Sequence, residues 1–301
     1  MKKVAILLLG TAVLTGCGSE DSGDSNDHHA SSSYIGAIEA VDTNTDTMTI
    51  NSMPLSLAST RIELNGHYVD STELDVGMQV DVEYDDGIAY EVDIDPEIVG
   101  IATLVTESEI TVNGQVFEHT NIAKDLVGTN TNRVMLFGYV DQAGKWIINA
   151  IHKANFLPVE DLYEGKITSI DKSNSFFNIG TMKIDYSNTH LDQEDISELQ
   201  VNAWVEVEGT YETGTNEFKA NDVDVEDDLD LANAEVEGYV TTLVLNNGVG
   251  MMTLNGKTVV TITENTRFED GTKDQLKVGS KVDVDLINNA GQLQASEIEF
   301  D

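Results

Sequence analysis

Four stretches of this 301-residue chain begin alike, and a repeat of that length constrains the architecture more tightly than composition does. They read YIGAIEAVD from Tyr34, IVGIATLV from Ile98, YEGKITSID from Tyr163 and VEGYVTTLV from Val236. The glycines they share, Gly36, Gly100, Gly165 and Gly238, lie 64, 65 and 73 residues apart. A second segment follows each opening: TMTIN, EITVN, FFNIG and MMTLN. Then comes a Thr-containing step, visible as STRIEL, NTHL and NTRF. LDVGMQVDVEY from Leu74 is matched by LQVNAWVEVEG from Leu199 and LKVGSKVDVDL from Leu276. Each unit closes on an Ala-led segment: AYEVDID, AIHKA, ANDVDVE and ASEIEF.

These segments are short, rich in Val, Ile and Thr, and alternate apolar with polar residues, which is the signature of half-buried strands. Val80, Val82 and Tyr84 point one way, and Asp81, Glu83 and Asp85 the other. Asn-Gly pairs at 65–66, 113–114, 247–248 and 255–256 mark hairpins or bulges. Helix signals are nearly absent, apart from one expected turn over Gln193–Leu199. The expected fold is all-β, with about five strands in each unit. An open sheet that small would leave sticky edges, so each unit is expected to close into an OB-like barrel, with a split sandwich as the alternative. The boundaries are 34–96, 97–156, 162–228 and 235–301, with linkers near Pro96–Glu97, Leu157–Asp161 and Asp227–Ala234. The second unit carries extra residues between Gly128 and Val134, where a longer loop is expected.

What precedes the repeats concerns location. Lys2 and Lys3 give a positive start, and Val4 to Val13 is an apolar run too short to span a bilayer. Leu14-Thr15-Gly16-Cys17 follows: an apolar residue, two small ones, then the one cysteine of the chain. This resembles the lipobox of bacterial lipoproteins. The resemblance implies that residues 1–16 are a cleaved signal peptide and that Cys17 carries a lipid anchoring the chain in the membrane of the cell envelope. By similarity to enterobacterial sorting rules, Gly18 and Ser19 after the cysteine, in place of Asp, favour the outer membrane over the inner. Residues 17–33 are rich in Ser, Gly, Asp and Asn, cannot bury a core, and read as a flexible tether. The adjacent His28 and His29 fall in that tether and are not expected to hold a metal.

The repeat pattern itself, with its G-x-I-x-x-I/V-D opening, L-x-V-G-x-x-V-x-V fourth strand and Ala-led last strand, resembles a family of small repeated β domains of unknown function in bacterial envelope lipoproteins. The similarity extends over nearly all of residues 34–301. It implies a fold and a location, and brings no catalytic residues with it.

The residues offer little chemistry of their own. G-x-S-x-G, H-E-x-x-H and Walker patterns are missing, and the cysteine is spent on the anchor. His119 and His152 share one repeat and could meet across strands, but their spacing is not that of a metal site. DVDVEDDLD from Asp222 fails as an EF-hand because its sixth position is Asp227 rather than Gly; DTNTDTM from Asp42 also lacks the Gly. The chain is therefore expected to be non-catalytic, without cofactor and without a specific metal. Weak calcium binding through clustered carboxylates is left open.

Charge separates the repeats. The formal net charge is −38, and −40 once Lys2 and Lys3 are removed, which repels nucleic acid and anionic headgroups. Residues 34–97 carry −14, 163–228 carry −12 and 235–301 carry −6, whereas 98–155 carry only −1. That near-neutral unit holds Arg133, Lys145, Trp146 and Lys153, residue types that favour a contact surface. Either it binds a partner, or it packs against its acidic neighbours. Period two places Trp204 with Glu206 and Glu208, so it is a candidate exposed ring, with packing between units as the alternative. The function expected is an envelope-anchored lipoprotein presenting tandem β modules to an envelope protein or glycan. The alternative is an acidic cation- or polysaccharide-binding surface or matrix protein.

Overall fold

In a computed structural model the described residues are 32–119, 126, 132–154, 160–191 and 193–301. The signal peptide, Cys17, His28, His29, most of the tether and the loop expected near Gly128 lie outside them. The described chain is nearly all strand, with one α-helical turn at Gln193–Glu198, inside the stretch where a turn is expected. All four Asn-Gly pairs form tight turns with positive φ at both residues, from 48° at Asn113 to 80° at Gly248. Asn and Gly are the residues that enter this region at least cost.

Inside each repeat the opening strand pairs antiparallel with the fourth: Tyr34↔Val82, Val99↔Met135, Tyr163↔Val207 and Val236↔Val284. The fourth strand in turn pairs with the Ala-led closing strand. The glycine shared by the openings is a matter of room. A Cβ at Gly100 would lie 2.1 Å from Oδ1 of Asn113, whose side chain folds over the opening strand and donates to the Val99 carbonyl at 3.0 Å. At Gly238 the side chain of Asn255, from the corresponding turn of repeat 4, crowds the same position.

The expectation of four separate barrels is corrected by the structure, which reads as a solenoid-like array with shared sheets. Repeats 1 and 4 join in one fourteen-stranded sheet, because Ser32–Ala37 runs parallel to Ala234–Asn246 with Tyr34 opposite Glu235. Repeats 2 and 3 join in a ten-stranded sheet, where Ile98–Val105 meets Asp161–Asp171 antiparallel at Tyr163↔Ile98.

The physical reason lies in strands with no wet face. In Arg133–Val140, Val134 and Leu136 enter a core shared with repeat 3, beside Tyr163, Phe177 and Phe218. Met135 and Phe137, pointing the other way, enter the core of repeat 1, beside Tyr34, Met48 and Val80. Ile98 and Val99 divide in the same manner, as do Leu162 and Tyr163. A barrel whose outer wall is apolar must be covered, and here a neighbouring repeat covers it. Repeat 4 keeps a core of its own, against which Ile35 of repeat 1 packs. Truncating Phe137 of repeat 2 should therefore damage the core of the neighbouring repeat 1. Phe137→Ala is expected to lower unfolding stability by about 3–5 kcal/mol in urea denaturation, and a loss below about 1 kcal/mol would show that the two repeats do not share that core.

Candidate functional site

Where repeats 1, 2 and 4 converge there is a cleft of about 710 Å³. Repeat 2 supplies Phe137–Tyr139 and Lys145–Asn149, repeat 4 supplies Glu237–Tyr239, Asn255 and Lys281, and repeat 1 supplies Ala37, Gly77 and Gln79. The junction is built on a shared tripeptide. Gly138-Tyr139-Val140 and Gly238-Tyr239-Val240 face each other, and their tyrosine rings stack with centroids 4.6 Å apart and planes 16° from parallel. The Val140 amide donates to the Asn255 carbonyl at 3.1 Å, and the Tyr239 amide donates to Asn255 Oδ1 at 2.9 Å.

The two lysines of the cleft lining are paired. Lys145 Nζ lies 2.6 Å from Glu118, and Lys281 Nζ lies 2.7 Å from Glu237. Glu237 also accepts from the Ala37 amide at 3.3 Å and from the Tyr34 hydroxyl at 3.5 Å, so it ties repeat 1 to repeat 4. The Tyr34 hydroxyl donates to Asp283 as well, and burial beside these two acids pushes its ionisation far above the usual range for tyrosine. His119 lines the cleft at 5 % exposure, and neither ring nitrogen has a hydrogen-bond partner among the described residues. Burial pushes its pKa below the ordinary value, which leaves a neutral ring with one donor and one acceptor.

Behind the cleft runs an acid-rich seam. Glu164 and Glu206 of repeat 3 are buried, and their carboxylates meet that of Asp95 from repeat 1, with ligand atoms within 4.8 Å of one another. The cation among them comes from repeat 4: Lys257 Nζ lies 3.7 Å from Glu164 and 3.4 Å from Glu226, and 5.8 Å from the centre of the Trp204 ring. Burial pushes the Glu164 carboxyl well up, and Lys257 holds it back. Glu97 is pushed up by burial and by Asp95, and accepts from the Gly138 amide at 2.9 Å. A second acid trio, Glu63, Glu91 and Asp93, contains Arg61, which pairs with Glu63 at 2.8 Å and Glu91 at 2.9 Å. Each trio has the oxygens to hold a cation, and each has a protein cation beside it.

The candidate residues fall in different places. Lys145 and Trp146 line the cleft. Arg133 pairs with Asp161 at 2.7 Å on the seam between repeats 2 and 3. Lys153 lines a smaller hollow of about 240 Å³ with His152 and Asp75. The exposed reading of Trp204 is corrected: the ring is 8 % exposed, its Nε1 donates to Glu164 at 3.0 Å, and it meets Trp146 edge-on at 6.3 Å. Period two failed there because both faces of Trp204–Glu212 are covered near its start. His119 and His152 belong to neither acid trio found among the described residues. Tyr139, Tyr239, Gln79 and Lys257 were not singled out by sequence reasoning, although the repeated Gly-Tyr-Val was there to be read.

The family profile described as a domain of unknown function, DUF5666, matches residues 164–223 and again 237–299. The chain is thus a nearly all-β, tandem-repeat protein in which that domain occurs twice, over repeats 3 and 4. No curated protein matches it. Among solved structures, a multidomain protein with nucleic acid binding domains from Streptococcus pneumoniae is 16% identical, with a TM-score of 0.20 over 66% of this chain and 72% of that one. Drosophila Unr CSD456 is 14% identical, with a TM-score of 0.19 over 69% of this chain and 98% of that one. Neither superposition is close enough to transfer a fold or a ligand.

Two outcomes follow from these charges. Burial, reinforced by neighbouring acids, raises Asp81 and Glu235 to about 7 and Asp283 to about 6. A carboxyl with a raised folded-state pKa binds its proton more tightly when folded, so its stabilising effect is complete at low pH and is lost as pH rises through 6 to 7. The melting temperature should accordingly rise as pH falls from 8 to 5 at fixed ionic strength; a flat or falling profile in calorimetry would contradict this. Lys257→Met leaves Glu164 without its cation and should cost about 3 kcal/mol at pH 8. The loss should shrink as the pH is lowered, because burial favours the protonated form of Glu164, and an equal loss at high and low pH would remove Lys257 from this role.

Proposed function

We propose that this chain is a non-catalytic lipoprotein of the cell envelope, anchored through a lipid on Cys17, whose repeats come together to bind an envelope partner in the cleft between repeats 1, 2 and 4. The observation that carries this reading is the cleft itself. Three repeats contribute to one concave site of a size typical of ligand pockets, in which half-buried aromatic rings alternate with polar and charged side chains. Lys145 and Trp146, from the one near-neutral repeat, are on its wall. The location rests on the export signal and on Leu14-Thr15-Gly16-Cys17. The outer membrane is the preferred site, from Gly18 and Ser19 after the cysteine. The acidity of the chain argues for a protein or glycan partner rather than nucleic acid.

A second reading, an acidic cation-binding surface protein, is favoured by the two carboxylate trios. Lys257 and Arg61 already neutralise these from within, so calcium is expected to bind weakly and to raise the melting temperature no more than sodium chloride of matched ionic strength.

Labelling in the native producer tests the anchor. The wild-type chain should incorporate radiolabelled palmitate and sediment with membranes, whereas Cys17→Ser should lose both properties. Retention of both by the variant would overturn the lipoprotein assignment. A photo-cross-linking residue in place of Asn149, which is exposed on the cleft wall, should capture a discrete envelope partner, and the same residue in place of the exposed Val259, which is not part of the cleft lining, should not. Equal capture from both positions would move the site away from the cleft.

A further inference from the structure

The lining of the cleft also restricts what the ligand can be, a question that rests on the cleft being the binding site. Its cations are spent: Lys145 on Glu118 at 2.6 Å, and Lys281 on Glu237 at 2.7 Å and on Asp301. Among the described residues an anionic ligand finds no uncommitted positive group there, and it approaches a chain of net charge −38. A lipid chain is disfavoured because the aromatic surfaces are interrupted by amide side chains, not continued as an apolar tunnel. A peptide adding as an extra strand along Trp146–Lys153 would have to displace His119, which bridges in parallel to Ile148 on that strand.

What remains open in the cleft are groups that donate and accept together. The ring of His119 has both functions, on nitrogens that are buried in the lining and have no hydrogen-bond partner among the described residues. The side-chain amides of Gln79 and Asn149 do so as well. The ligand group matched to such partners is the hydroxyl, which also donates and accepts. Beside them stands the half-buried indole of Trp146, an apolar face at the cleft wall. A pyranose combines the two features, with hydroxyls around its edge and C–H groups on its face, where an aromatic ring can lie against it.

We propose that the cleft between repeats 1, 2 and 4 binds a neutral oligosaccharide, with Trp146 as the platform for a sugar ring and His119, Gln79 and Asn149 hydrogen-bonding its hydroxyls. The acidity of the surrounding surface then acts as a filter, turning away uronic-acid and phosphorylated glycans that would otherwise offer the same hydroxyls.

The test is titration calorimetry, with tryptophan fluorescence in parallel, on the intact chain in detergent. The probes are cellohexaose, chitohexaose, xylohexaose and maltohexaose, with an alginate hexamer as the anionic comparison. At least one neutral probe should bind saturably and shift the tryptophan emission, and the alginate hexamer should bind at least about tenfold more weakly. Trp146→Ala should weaken binding by about tenfold or more. Because that variant could disturb repeat 2, Asn149→Ala serves beside it: the residue is exposed, the melting temperature should be unchanged, and affinity should fall about three- to tenfold. Binding only by the alginate hexamer, or neutral binding unaffected by both substitutions, would overturn the proposal. If no sugar binds while the cross-linker at position 149 still captures a protein, the ligand class is wrong and the cleft stands. If neither is seen, both fall.

Discussion

The organisation of this molecule depends on a wall of strands buried on both faces. Ile98–Val99, Val134–Phe137 and Leu162–Tyr163 send alternate side chains into two different cores. Burying apolar surface on one side of a strand stabilises a repeat; burying it on both sides welds that repeat to the next. The second repeat is therefore less a bead on a string than the partition between its neighbours. Its low net charge is consistent with this, since a partition lined with carboxylates would have to be desolvated without compensation.

Charge is handled at the junctions by basic side chains, some of which reach across from another repeat. Lys257 reaches from repeat 4 to the carboxylates of repeat 3, and Arg133 of repeat 2 holds Asp161. Lys281 and the Tyr34 hydroxyl share Glu237 where repeats 1 and 4 run side by side. In a chain with 54 acids and 16 Lys and Arg, carboxylates are freely available on the surface. A basic side chain in a seam is the scarcer element, and it defines which repeats are neighbours.

The strands, their order within a repeat and the turns were legible in the sequence, because period-two alternation and Asn-Gly pairs act locally. The joining of repeats was not. Ser33 opposite Ala234 is a contact between residues about 200 positions apart, and no local pattern announces it. One signal was available and points the right way: RVMLF at 133–137 is a continuous apolar run after its arginine, not an alternation, as expected for a strand with no wet face. Trp204 stood open between exposure and packing because Glu206 looked like a solvent-facing residue, and the packing reading is the one that holds. Glu206 is buried near Lys257, which repeat 4 delivers. Of the cleft, Lys145 and Trp146 were visible as residue types suited to contact; the walls from repeats 1 and 4 depend on the same long-range joining and were not.

The parallel pairing of Ser32–Ala37 with Ala234–Asn246 has a temporal side. Ser32–Ala37 finds one partner nearby in Gln79–Asp85, but its other edge is covered only after most of the chain has been made, and Lys257 of the seam arrives later still. Contacts so distant in sequence close slowly, because chain entropy must be lost before they return any energy. A chain that passes through an export channel must remain unfolded until its last residues have cleared it. For a chain exported as proposed, the far edge of Ser32–Ala37 would emerge early and be paired late.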